Sequence, residues 1–182
     1  MKLISERVSV QEKDNVLSVV MLPTTDKKKL NLMLLWLLAW TGCGVIVFIN
    51  YFKLNNQDAK LFIIIYLSFW FYFEYKIARA WIWKKFGREK IWLKNGKLFL
   101  QKEINGSGKI KEYEIDLVND VKLIELSHAS FADTINQSFW IKGGERIQFQ
   151  YMAKTITFGM QLSDKEAYDV IRELKSYLKN KN

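Results

Sequence analysis

Apolar residues fall along this chain in two patterns, one continuous and one alternating. Between Leu30 and Phe52 they run for 23 residues without a charge. At about 1.5 Å per helical residue, that run is long enough to cross a hydrocarbon core of roughly 30 Å. A second run is charge-free from Leu61 to Phe73 and continues through Glu74, Lys76 and Arg79 to Trp83, and the polar loop Lys53–Lys60 joins the two. The pattern predicts a membrane hairpin with spans at about 30–52 and 61–83, the second carrying its charges toward one membrane face. The first run begins near residue 30, is too long and has no small-residue cleavage pattern behind it, so it reads as a retained anchor rather than a cleaved signal.

Alternation predicts strands on both sides of the hairpin. Residues 3–10 and 16–22 are rich in Val, Ile and Leu around the polar stretch Gln11–Asn15 and read as a β-hairpin ended by Pro23. The second span is expected to run to about Phe86, with Lys84 and Lys85 in its last turn and Gly87 as the residue that closes it. Glu89–Lys94 and Lys97–Glu103 then flank Asn95-Gly96, a strong two-residue hairpin signal. Lys109–Ile115, Val121–Leu126, Ser138–Lys142, Arg146–Met152 and Thr155–Met160 read as further strands. Ser127–Gln137 reads as a loop, and Gly143-Gly144 as a tight turn. Ser163 with Glu166 makes a capping box, after which Ala167, Val170, Ile171, Leu174, Tyr177 and Leu178 fall on one helical face.

Seven strands followed by one amphipathic helix is the element order of the pleckstrin-homology-like (PH-like) barrel, an α+β domain in which the helix plugs an open end of two sheets. Two stretches, Ala80–Glu89 (AWIWKKFGRE) and Ile156–Ala167 (ITFGMQLSDKEA), resemble bacterial two-span membrane proteins with a PH-like domain. The resemblance covers residues 30–180 and implies fold and topology, with no agreed activity to carry over. The overall plan is also similar to that of the two-span photosystem I assembly factor of chloroplasts and cyanobacteria. The expected organisation is a cytoplasmic N-terminal segment at 1–29, a transmembrane hairpin at 30–88 and a PH-like domain at 89–182.

Charge refines this picture. Residues 1–88 hold 13 basic and 6 acidic side chains, residues 89–182 hold 15 and 13, so the excess lies in the membrane half. That suits anionic headgroups better than nucleic acid, which favours a basic stripe on the soluble domain. Lys27, Lys28 and Lys29 before the first span and Lys84, Lys85, Arg88 and Lys90 after the second place both termini in the cytoplasm, at an inner membrane.

Catalytic chemistry finds no constellation. The single cysteine, Cys43, lies mid-span, and the single histidine, His128, has no second ligand near it, so neither a disulfide nor a metal site is expected. No phosphate-cradling glycine motif occurs, so no nucleotide or other cofactor is expected. The chain therefore reads as a non-enzymatic adaptor or assembly subunit that binds a protein partner; the alternative is a sensor of anionic membrane lipid. The residues expected to make partner or lipid contacts are Trp70 and Tyr72 from the aromatic second span, Glu74 and Arg79 in a polar notch, and Lys84, Lys85 and Arg88 at its end. Trp81 and Trp83 are expected to anchor the membrane interface.

Overall fold

A computed structural model of the chain describes residues 2–23, 26–124 and 144–179, which divide into a unit of residues 1–25 with Trp83–Asn182 and a unit of Asp26–Ile82. The first, here called the β-unit, contains strands β1 (Lys2–Ser5), β2 (Val8–Lys13), β3 (Val16–Met21), β4 (Gly87–Lys94), β5 (Lys97–Ile104), β6 (Ile110–Glu114), β7 (Val118–Leu123), β8 (Glu145–Tyr151) and β9 (Lys154–Met160). Strands β1 to β6 form one antiparallel sheet in chain order and β7 to β9 a second.

Short turns set the registers. Asp14 and Asn15 have φ of 51° and 59°, and Asn95 and Gly96 have 51° and 73°. Left-handed backbone at both central positions matches the twist of the flanking strands, which is why Asp, Asn and Gly stand there. The ladders close directly on these turns, with Lys13 opposite Val16 and Lys94 opposite Lys97.

Two findings correct the sequence reading, and one extends it. The N-terminal segment holds three strands rather than two, because the chain turns at Glu6 and Arg7 before β2. Its strands continue the sheet of the β-unit: Val19 pairs with Ile91 and Met21 with Glu89, so the hairpin is an insertion between adjacent strands. Gly87 does not close the second span in a left-handed conformation. It begins β4 at once, and a methyl group there would overlap the Trp83 carbonyl and ring. The expected loop at Ser127–Gln137 and strand Ser138–Lys142 lie outside the described residues, as does His128. Six of the seven strands expected after the hairpin and the C-terminal helix α3 (Asp164–Lys179) are described, and with the N-terminal strands they give an α+β unit with sheets of six and three strands.

The core lies on the inward rows of both sheets. Val19, Ile91, Leu93, Ile147 and Phe149 are buried against Ala167, Val170 and Leu174 of α3. Each such apolar side chain contributes about 1.5–3 kcal/mol on burial. Helix α3 begins as its sequence indicates: the Ser163 N–H donates to Glu166 Oε2 at 2.9 Å and the Glu166 N–H to Ser163 Oγ at 3.3 Å. Arg7 reaches the same carboxylate with Nε at 3.2 Å and Nη2 at 2.9 Å while Nη1 donates to the Pro23 carbonyl, tying the β1–β2 turn to the helix start.

The second unit is built on α1 (Lys27–Tyr51) and α2 (Gln57–Phe86), whose last turn belongs to the β-unit. Asp26 caps α1 by accepting from the Lys29 N–H at 3.0 Å, and Asn56 caps α2 from the Asp58 N–H at 2.8 Å. Both helices are long and apolar enough to cross a membrane by length and composition.

Candidate functional site

Inside the hairpin, small residues of α1 admit a large one of α2. Gly44 is buried, and a methyl group built on it would sit within the Trp70 indole, so the absence of a side chain at 44 is what lets the ring lie against α1. The Trp70 Nε1–H donates to the Trp40 carbonyl at 3.3 Å, and near the other end the Trp81 Nε1–H donates to the Leu30 carbonyl at 3.2 Å. Two indole donors therefore bridge the helices.

One helical turn from Trp70, Glu74 points the same way. Its Oε1 lies 2.6 Å from the hydroxyl of Thr41, which also sits 2.8 Å from the Leu37 carbonyl. The partner of Glu74 is thus a threonine of the other helix. Glu74 Oε2 is buried with no hydrogen-bond partner in the structure. Arg79 takes no part in this contact: its Nη1 donates to the Tyr75 hydroxyl at 3.1 Å and its guanidinium lies over that ring.

The outward surface of α2 is aromatic. Phe62, Phe69, Phe71, Tyr72 and Phe73 are each more than half exposed, Tyr72 at 54 %. The Lys76 ammonium lies 5.4 Å from the centre of the Tyr72 ring. A groove of about 470 Å3 opens between the helices, floored by Gly44 and Trp70 and walled by Val45, Phe48, Ile64 and Phe71.

The basic residues at the end of α2 separate. Lys84 is only 4 % exposed and donates to Gln161 Oε1 at 2.6 Å, so it is sequestered within the β-unit rather than offered to headgroups. Trp83, expected at the membrane interface, is 2 % exposed and packs on Gly87. Lys85 is exposed beside the Phe86 ring, and Arg88 pairs with Glu103 at 3.1 Å. The seven expected contact residues divide between the two units. Trp70 and Glu74 hold the helices together, Tyr72 and Arg79 face outward, and the last three belong to the β-unit.

A buried charge cluster escaped the sequence reading. Glu89 is 2 % exposed, and its Oε2 accepts from the N–H groups of Gly159 and Met160 at 2.9 and 2.8 Å, bridging β4 to β9. Lys102 lies 3.1 Å from both Glu89 and Glu145. Burial pulls the Lys102 ammonium down, but the two carboxylates outweigh it and hold its pKa above the ordinary lysine value. Glu103, equally buried, takes Lys90 at 2.7 Å as well as Arg88. The only sequence signal was the placement of Glu89 in the same alternating row as Ile91 and Leu93. Among the described residues no group of three or more His, Cys, Asp or Glu side chains is arranged to hold a metal.

Comparison of the chain with known protein families, with characterised proteins and with solved structures returns no match.

Proposed function

We propose that this chain is a non-enzymatic, membrane-anchored adaptor whose hairpin docks against a membrane-embedded partner protein. The observation that carries the reading is Tyr72. It stands at the midpoint of Leu61–Trp83 and is outward-facing, and among the described residues its hydroxyl has no hydrogen-bond partner. Tyrosine suits the ends of a span, where its hydroxyl meets water, whereas an unpartnered hydroxyl at mid-depth costs about 1–3 kcal/mol. A neighbouring transmembrane segment with a backbone or side-chain acceptor relieves that cost, and the flanking Phe69 and Phe73 supply packing surface. The lysine asymmetry around the spans supports an inner-membrane location with both termini in the cytoplasm. Antiparallel sheets closed by one C-terminal amphipathic helix support a PH-like reading of the β-unit.

The test places a photoreactive phenylalanine analogue at position 72 of the full chain in its native membrane. A discrete protein adduct is expected. Co-purification of that protein should fall with Phe69→Ala or Tyr72→Ala, persist in high salt and survive Lys85→Gln with Arg88→Gln. Adducts of lipid alone, together with anionic lipid that is lost on the two basic substitutions, would overturn the adaptor in favour of a lipid sensor.

A further inference from the structure

In the β-unit, the inward row of the first sheet changes character toward one end. Leu98 pairs with Tyr113, and both are buried; Leu100 pairs with Lys111; beyond them come Lys102 and, two residues before Lys111, Lys109. Alternation places Lys111 on the face that elsewhere builds the core, and Lys109 lies just before the strand. They point instead into a groove of about 370 Å3 closed on its far side by Thr155, Ile156 and Thr157 of β9. That volume is within the range of small-molecule sites. Lys102 has its charge answered by Glu89 and Glu145. Among the described residues no carboxylate lies within ion-pair distance of Lys109 or Lys111. Thr155 Oγ1 is engaged with Gln150, and Thr157, two residues on in β9, lines the same groove.

We propose that this groove binds a phosphate monoester, with Lys109, Lys111 and Thr157 holding the phosphate and the buried Leu100 and half-buried Ile156 meeting its aliphatic part. The charge and donor count carry the assignment. Two ammonium groups that meet no carboxylate among the described residues match the roughly −1.5 to −2 charge of a monoester at neutral pH, and with the Thr157 hydroxyl they offer three donors to its three terminal oxygens. Lysine serves here as a point charge, without the flat fork that arginine offers a carboxylate. The site is separate from the hairpin surface and stands whether or not that surface binds a protein. The same chemistry is offered by a soluble ester and by phosphatidic acid, and the experiment distinguishes them.

The full chain is placed in nanodiscs of phosphatidylcholine and titrated with glycerol 3-phosphate, and in parallel reconstituted with phosphatidic acid, with binding read by phosphorus NMR or calorimetry. Saturable binding is expected in at least one arm. Binding of the free ester identifies a soluble ligand, and binding confined to phosphatidic acid identifies the headgroup. Lys109→Gln with Lys111→Gln should weaken it at least about tenfold, since two charge-assisted hydrogen bonds are lost. Lys165→Gln with Lys175→Gln, the same charge change on exposed positions of α3, should leave it within about twofold. Thr157→Asp, which keeps both lysines and sets a carboxylate among them, should abolish it. No saturation in either arm up to roughly 10 mM, equal loss in the α3 control, or succinate binding as tightly as the ester would each overturn the assignment.

Discussion

The two units of this molecule use apolar side chains in opposite directions. In the β-unit they point at one another: Val19, Ile91, Leu93 and Ile147 are fully buried among twenty buried core residues shared by both sheets and α3. In the hairpin they point away. Of the 25 residues of α1 only Met33, Leu37 and Gly44 are buried, while leucines, isoleucines and phenylalanines cover the outside of both helices. In water the second arrangement would forfeit the hydrophobic driving force; in hydrocarbon it forfeits nothing, and cohesion must come from close backbone approach and hydrogen bonds. The hairpin has those in Gly44 under Trp70, in the two indole donors and in Thr41 against Glu74. Polar contacts divide along the same line. The hairpin joins its helices with few, from Trp70, Trp81 and Thr41, whereas the β-unit buries a glutamate within its core and satisfies it with Lys102 and two backbone N–H groups.

The largest test of this contrast removes one unit from the other. Replacing residues 26–82 with a flexible Gly/Ser linker should leave a water-soluble protein that unfolds cooperatively in urea, because the buried core lies wholly in residues 1–25 and 83–182. Deleting residues 1–21 as well should abolish cooperative unfolding altogether, since Leu17, Val19 and Met21 of β3 leave the core and β4 becomes an open edge. A cooperative transition in the truncated chain would show that the N-terminal strands are dispensable.

A smaller effect is expected within the hairpin and depends on which of two neighbouring glycines is changed. Gly44→Leu, in full-length protein in detergent, should destabilise the helix pair by about 1–3 kcal/mol through overpacking against Trp70. Gly42→Ala meets nothing within 4 Å and removes a flexible residue from a helix, so it should be neutral or stabilise by roughly 0.5–1 kcal/mol. Thermal unfolding of the two variants in one detergent compares them, and equal destabilisation would remove Gly44 from the packing argument.

The smallest shift concerns a part-buried ion pair of the β-unit and appears in acid. Burial pushes the Glu166 carboxyl up, but hydrogen bonds from Arg7, Ser5 and the Ser163 N–H outweigh it and hold the pKa at about 2. A folded-state pKa below the ordinary carboxylate value of about 4.3 means stability that is fully present above that value and lost as pH falls through about 2. The urea midpoint of the hairpin-free protein should therefore exceed that of Glu166→Gln at pH 6, with the gap narrowing toward pH 2.5. A gap independent of pH would assign the variant's cost to packing instead.

What the chain's own order determined is whatever a few neighbouring residues can specify. Two uncharged apolar runs indicate the long helices, Asn95-Gly96 indicates a left-handed turn with the register that follows, and Ser163 with Glu166 indicates where the last helix starts. Each of these rests on contacts within about four residues, so its signal is written locally. Only the tertiary structure decided that β3 pairs with β4 across the inserted hairpin, because such pairing depends on a match between surfaces far apart in the chain. Only it decided that Lys84 and Trp83, which read as membrane-interface residues, turn into the β-unit to meet Gln161 and Gly87. The same is true of Glu89: in the sequence it is one charged residue at the start of a strand, and its burial depends on Lys102 and the Gly159 and Met160 amides arriving from β5 and β9. A charge becomes tolerable in a core only when its partners converge, and no local pattern records that convergence.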